Sequence, residues 1–139
     1  MQWLVLAFVS AGAAALTAIL AKVGVEGVPS NLATAIRTVV ITAFAWAIVL
    51  AGGEHRALAG VSRRSLWFLV FSGIATGVSW LAYFRALQLA PASRVSPIDK
   101  LSLPLTIVLA AAFLGEAVSW RLALGVALMT AGAIVTIAG

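Results

Sequence analysis

The stretch YFRALQLAPASRVSPIDKLSLPLTIVLAAAFLGE, Tyr83 to Glu116, sets Arg85, Arg94, Asp99 and Lys100 between two strongly apolar runs. The run Leu66 to Leu81 before it and the run Leu101 to Leu114 within it are each too apolar for an ordinary surface segment. Charges held between two such runs place the turn of a helical hairpin at, or just inside, a bilayer surface. The rest of the chain repeats the pattern on both sides.

The 139 residues are 63% hydrophobic and 9% charged, with a mean hydropathy of +1.14. That is more apolar surface than one small soluble core hides, so lipid is the solvent for most of the chain and the bilayer its first partner. Cysteine is absent, which excludes a disulfide framework and a thiolate metal site, and the single histidine argues against a histidine-rich one. No metal or cofactor is expected. A net charge of +5 would suggest nucleic acid in a soluble protein. Here the basic residues sit in loops or at span ends, where topology signals and phospholipid headgroups explain them, so no nucleic-acid partner is expected. There is no Ser-His-Asp set, zincin motif, phosphate loop or paired carboxylate site, and the chain does not read as an enzyme.

Crossing the hydrocarbon core takes about 20 apolar residues. Five stretches qualify: Trp3 to Ala21, Leu32 to Leu50, Leu66 to Leu89, Val95 to Phe113 and Trp120 to Ala138. Turn residues separate them: Gly24, Gly27, Pro29 and Ser30, then Gly52 and Gly53, then Pro91, then Gly115. Met1-Gln2-Trp3 carries no basic n-region, so the first stretch reads as a mature helix and not as a cleavable signal. Trp3, Trp67 and Trp120 open the odd-numbered spans, while Trp46 and Phe113 close the second and fourth, an aromatic belt at one face. That face also carries Arg56, Arg63, Arg64 and Arg121 in its loops, against Lys22 and Arg94 opposite, which favours a cytoplasmic N-terminus. Arg37, Arg85 and Lys100 near the opposite face offset the bias, so dual topology is physically accessible.

Five residues are candidates for substrate binding: Arg37, Trp80, Tyr83, Arg85 and Lys100. Arg37 lies roughly 9 Å inside the second span, a costly depth for an ionisable group unless it is paired, hydrated or snorkelling to the nearer face. Arg85 reaches headgroups easily, yet Trp80 and Tyr83 approach it from the deeper side, and the belt does not explain Trp80. An aromatic-lined cavity ending at a cation follows, with lipid-facing packing of the ring as the plain structural reading. Ser96-Pro97-Ile98-Asp99 fits a capping box that opens the fourth helix at Ser96. If that helix instead opens near Ala92, Asp99 and Lys100 lie inside it and Pro104 frees a backbone carbonyl. Gly73 and Gly77, and Gly125 and Gly132, are spaced for close helix packing. Thr34, Thr38 and Thr42, with Ser72 and Thr76, make polar stripes that backbone carbonyls of their own helices can satisfy. Glu116 reads as a turn residue near Arg121.

The segments YFRALQLAPASRVSPIDKLSLPLTIVLAAAFLGE and GVALMTAGAIVTIAG together resemble the EamA-like domain of the drug/metabolite transporter superfamily. The alanine-leucine helix end, the small-residue turn with proline, the Leu-Pro of the next helix and the Gly-Glu before a glycine-spaced helix recur in that order. The first two spans match in length and hydropathy alone. The resemblance implies an all-α, polytopic membrane protein, one five-helix domain over residues 1–139 that is half of a ten-helix inverted-repeat transporter. Typical members carry two inverted units and move small metabolites by alternating access. A single unit implies two copies, a homodimer in the inner membrane that is parallel or antiparallel. Related four-helix exporters use a membrane glutamate in the first helix, and Trp3 to Ala21 holds none. Arg37, Arg85 and Lys100 favour an anionic or zwitterionic substrate. The competing reading is a non-transporting assembly or regulatory subunit.

Overall fold

The computed structural model describes residues 1–138. Six α-helices follow in order: α1 (Gln2–Gly24), α2 (Ser30–Ala51), α3 (Arg63–Leu89), α4 (Ala92–Asp99), α5 (Ser102–Leu109) and α6 (Trp120–Ala138). A 3₁₀ segment, Glu54–Gly60, joins α2 to α3, and a π turn, Ala110–Leu114, ends α5. No strand occurs among the described residues. Five helical stretches are long and apolar enough to cross a membrane: Gln2–Gly24, Ser30–Ala51, Arg63–Leu89, Ala92–Leu114 and Trp120–Ile137. They coincide with the five read from hydropathy.

The third span begins at Arg63, not Leu66. Ser62 accounts for this: its Oγ accepts the Ser65 N–H at 3.0 Å and lies 2.8 Å from the Ser65 hydroxyl, satisfying an orphan donor at the helix start.

The fourth span departs from the expected capping box. Pro91, not Ser96, opens the helix: the Pro91 carbonyl accepts the Arg94 and Val95 N–H groups at 3.0 and 3.1 Å. Pro97 is therefore inside α4, where its missing N–H denies the Ser93 carbonyl its usual partner. Asp99 is the last residue of α4 and pairs with Lys100 Nζ at 3.3 Å instead of reaching a helix-start amide. The next bonds tighten, from Leu101 N–H to the Ile98 carbonyl at 2.9 Å and from Leu103 N–H to the Lys100 carbonyl at 3.0 Å. Pro104 cannot donate to Lys100, which is why that carbonyl turns to Leu103. Two prolines thus divide the span into two eight-residue helices.

The chain forms two compact units, one of Leu20–Leu89 and one of Met1–Ile19 with the chain from Ala90 on. In the first, α2 packs along α3, and Ala21, Val25, Phe84 and Leu87 are buried with Ser30 and Thr34. A polar knot ties its end. Lys22 Nζ donates to the Leu87 carbonyl at 2.6 Å, and Gln88 Nε2 donates to the Val28 and Val25 carbonyls at 2.6 and 3.3 Å. Leu87 lies in the last turn of α3, where carbonyls lack intrahelical donors, so a lysine there satisfies both a hydrogen bond and the helix dipole. The hydroxyls of Thr34, Thr38 and Thr76 bond carbonyls four residues back, at 2.9, 2.8 and 2.9 Å. Those stripes are internal to their helices.

In the second unit α4 and α5 pack on α6, burying Val95 and Ala133. A groove of about 920 Å³ between α5 and α6 is lined by Pro104, Ile107, Ala111, Ala123, Ala127 and their neighbours, with Thr130 as its polar side chain. It carries no charge and holds nothing suited to a charged metabolite. A Cβ added at Gly73, Gly77, Gly125 or Gly132 would meet nothing within 4 Å, so the expected close helix packing at these glycines is not made within the described chain.

Candidate substrate site

Arg37 follows Ser30, the first residue of α2, by seven positions, which sets it about 10 Å along the helix. At that depth a guanidinium needs a partner, and α3 provides an aromatic one. The Arg37 Cζ lies 4.4 Å from the Trp80 ring centroid and 5.1 Å from that of Phe84. Trp80 and Phe84 are four residues apart, hence on one face of α3. Because α2 starts where α3 ends, a residue in the second to third turn of one meets residues five to nine from the end of the other. Phe84 is only 3% exposed, while Arg37 and Trp80 are half-buried.

Each such contact stabilises by about 0.5–2 kcal/mol, depending on how well water is excluded. The rings engage the guanidinium without using up its donors, of which it has five in a planar fork. Among the described residues no carboxylate lies within ion-pair distance of Arg37; the ion pair there is Asp99 with Lys100. The arrangement is a cation held in place inside an apolar span with its fork available to a carboxylate or phosphate.

The other sequence candidates fall in different places. Tyr83 is half-buried beside Phe84, ring centroids 6.3 Å apart at 66°. Arg85 does not close an aromatic cavity over Trp80: it is exposed, and its Nη1 donates to Gln88 Oε1 at 3.0 Å. Five residues of helix separate Trp80 from Arg85 by about 140° of rotation, so the ring faces Arg37 instead. Lys100 belongs to the other unit, on the turn between α4 and α5, where Asp99 holds it. Glu116 makes no ion pair with Arg121 among the described residues; Arg121 lies 5.8 Å from the Trp120 ring centroid. Two residues escaped the sequence reading. Phe84 was signalled by its four-residue spacing from Trp80, and Gln88 by being an amide in the last turn of an apolar helix.

The sequence profile of the EamA-like transporter family matches residues 1–138. A protein of Sinorhizobium sp., described as an uncharacterized transporter in the cobO 3' region, is 49% identical over 133 residues, covering 96% of this chain and 94% of that protein. No solved structure matches. With five membrane-crossing stretches and a family match over nearly its whole length, the chain is a multi-pass membrane protein and belongs to the EamA-like transporter family.

Proposed function

We propose that residues 1–139 form one five-helix transmembrane unit, half of a ten-helix inverted-repeat path, and that two copies associate in the inner membrane as a secondary transporter for a small metabolite. The transported molecule is anionic or zwitterionic. The single observation that carries this reading is the Arg37 guanidinium of α2, stacked on Trp80 and Phe84 and without a carboxylate partner among the described residues. An intramembrane cation of this kind marks a functional site by default, and in a transporter family that function is substrate contact. Tyr83, its ring beside that of Phe84, Arg85, a second cation on α3, and Lys100 of the other unit are proposed as further substrate contacts.

The dimer follows from the odd number of spans. Inverted-repeat transporters build their path between two units of opposite orientation, and a single five-span unit reaches that arrangement by pairing with an inverted copy. The modest charge bias between loops, with the N-terminus favoured on the cytoplasmic side, permits both insertions. No catalytic step is part of the mechanism. Each protomer's cation alternately faces one side of the membrane and the other.

The test is transport by the purified chain in proteoliposomes, with a panel of labelled carboxylate, phosphate and amino-acid metabolites. Uptake or counterflow of at least one anionic or zwitterionic compound above protein-free vesicles is the expected outcome. A folded, reconstituted protein that moves none of the panel would point to an assembly or regulatory subunit instead.

A further inference from the structure

The segment between α2 and α3 carries features that substrate binding at Arg37 does not use. Gly53, at a φ of 71°, turns the chain out of α2, and the 3₁₀ helix that follows folds back against α2. Leu58 in that helix and Val61, the extended residue just past its end, are joined by the Val61 N–H to Leu58 carbonyl bond at 3.2 Å and stand 55% and 45% exposed. His55, Arg56, Arg63 and Arg64 are all exposed around this apolar edge. Three arginines face one acid, Glu54, and none of them has a carboxylate within ion-pair distance among the described residues. Arg64 lies 5.9 Å from the ring centroid of Phe68, itself 66% exposed, and Trp67 beside it is 61% exposed.

An exposed apolar edge beside unpaired cations, where two spans emerge from the membrane, matches a negatively charged lipid surface in both charge and polarity. We propose that Gly52–Phe68 is a binding surface for anionic phospholipid. Leu58 and Val61 dip to the level of the acyl chains, Trp67 and Phe68 sit at the glycerol boundary, and Arg56, Arg63 and Arg64 meet the headgroups. The charge balance selects lipids with net negative charge over zwitterionic ones, because the latter offset each phosphate with their own cation.

The full chain is reconstituted in mixed nanodiscs, and the motionally restricted fraction of spin-labelled phosphatidylglycerol is compared with that of spin-labelled phosphatidylcholine. Phosphatidylglycerol is expected to associate at least about five-fold more strongly. The preference should fall towards unity in the combined Arg56→Gln, Arg63→Gln, Arg64→Gln variant and at high salt. Arg94→Gln, outside the segment, should retain it, and Leu58→Ser with Val61→Ser should lower it while leaving the salt dependence in place. Equal association of the two lipids with the unsubstituted protein, or a preference unchanged by the triple variant, overturns the proposal. Should the triple variant fail to fold, an undiminished preference of the unsubstituted protein at high salt overturns it equally.

Discussion

Replacing Arg37 with glutamine tests the proposed site most directly, because the substitution keeps a shorter but still polar, hydrogen-bonding side chain while removing the charge and the fork. Two magnitudes follow from the geometry. The stack on Trp80 at 4.4 Å and Phe84 at 5.1 Å is worth about 2 kcal/mol in total for a half-buried guanidinium. Glutamine relieves the cost of keeping a charge at that depth, so net stability should change by less. A substrate anion held by the fork loses charge-assisted hydrogen bonds worth about 3 kcal/mol together, roughly a hundredfold in apparent affinity. Arg37→Lys restores the charge but not the planar fork, and should recover part of the loss, to roughly tenfold. The assay is initial-rate counterflow in proteoliposomes with an active compound of the panel, normalised to folded protein by size exclusion and tryptophan fluorescence. Unchanged kinetics in Arg37→Gln refute the assignment. A fall in transport that only tracks a fall in folded protein would make Arg37 a packing residue.

Gln88→Ala removes the bonds to the Val25 and Val28 carbonyls and should lower unfolding stability in detergent by about 2 kcal/mol; a denaturation midpoint equal to that of the parent would show that the polar knot contributes nothing. Asp99→Asn touches a partly exposed pair and should cost no more than about 1 kcal/mol while sparing transport; abolished transport in the folded variant would make the carboxylate functional. Gly53→Ala forces an L side chain to a φ of 71° and should destabilise by about 1–2 kcal/mol, read as a lower midpoint in the same denaturation. Single cysteines at Glu26 and His55, in a chain with none of its own, report orientation through an impermeant thiol reagent on intact cells: labelling of both sites is expected of an antiparallel pair, and labelling of one alone eliminates it.

The spans were legible because hydrophobic length is a property of the chain itself, and the five stretches differ from their predicted bounds by a few residues at most ends. The fourth was harder. Pro91-Ala92 and Ser96-Pro97 both resemble helix starts, and local sequence does not say which proline lies outside the helix. The backbone bonds to Pro91 decide it. The candidate site was legible in part: the depth of Arg37 and the unexplained Trp80 were each visible, but their meeting is a contact between α2 and α3 across more than forty residues. Sequence proximity drew Trp80 towards Arg85 instead, although helical rotation points the two apart. Phe84 went unnoticed because one apolar ring among so many carries no compositional signal.

The break in the fourth span bears on how that span is held in the bilayer. An eight-residue helix is about 12 Å long, less than half of the roughly 30 Å hydrocarbon core. Neither α4 nor α5 is long enough to cross alone, and the turn that joins them carries Asp99 and Lys100, with the Lys100 carbonyl bonded to the Leu103 N–H in place of the donor that Pro104 lacks. Both short helices pack on α6. The fourth span thus crosses only as α4 and α5 together, and α6 is the neighbour against which both halves are held.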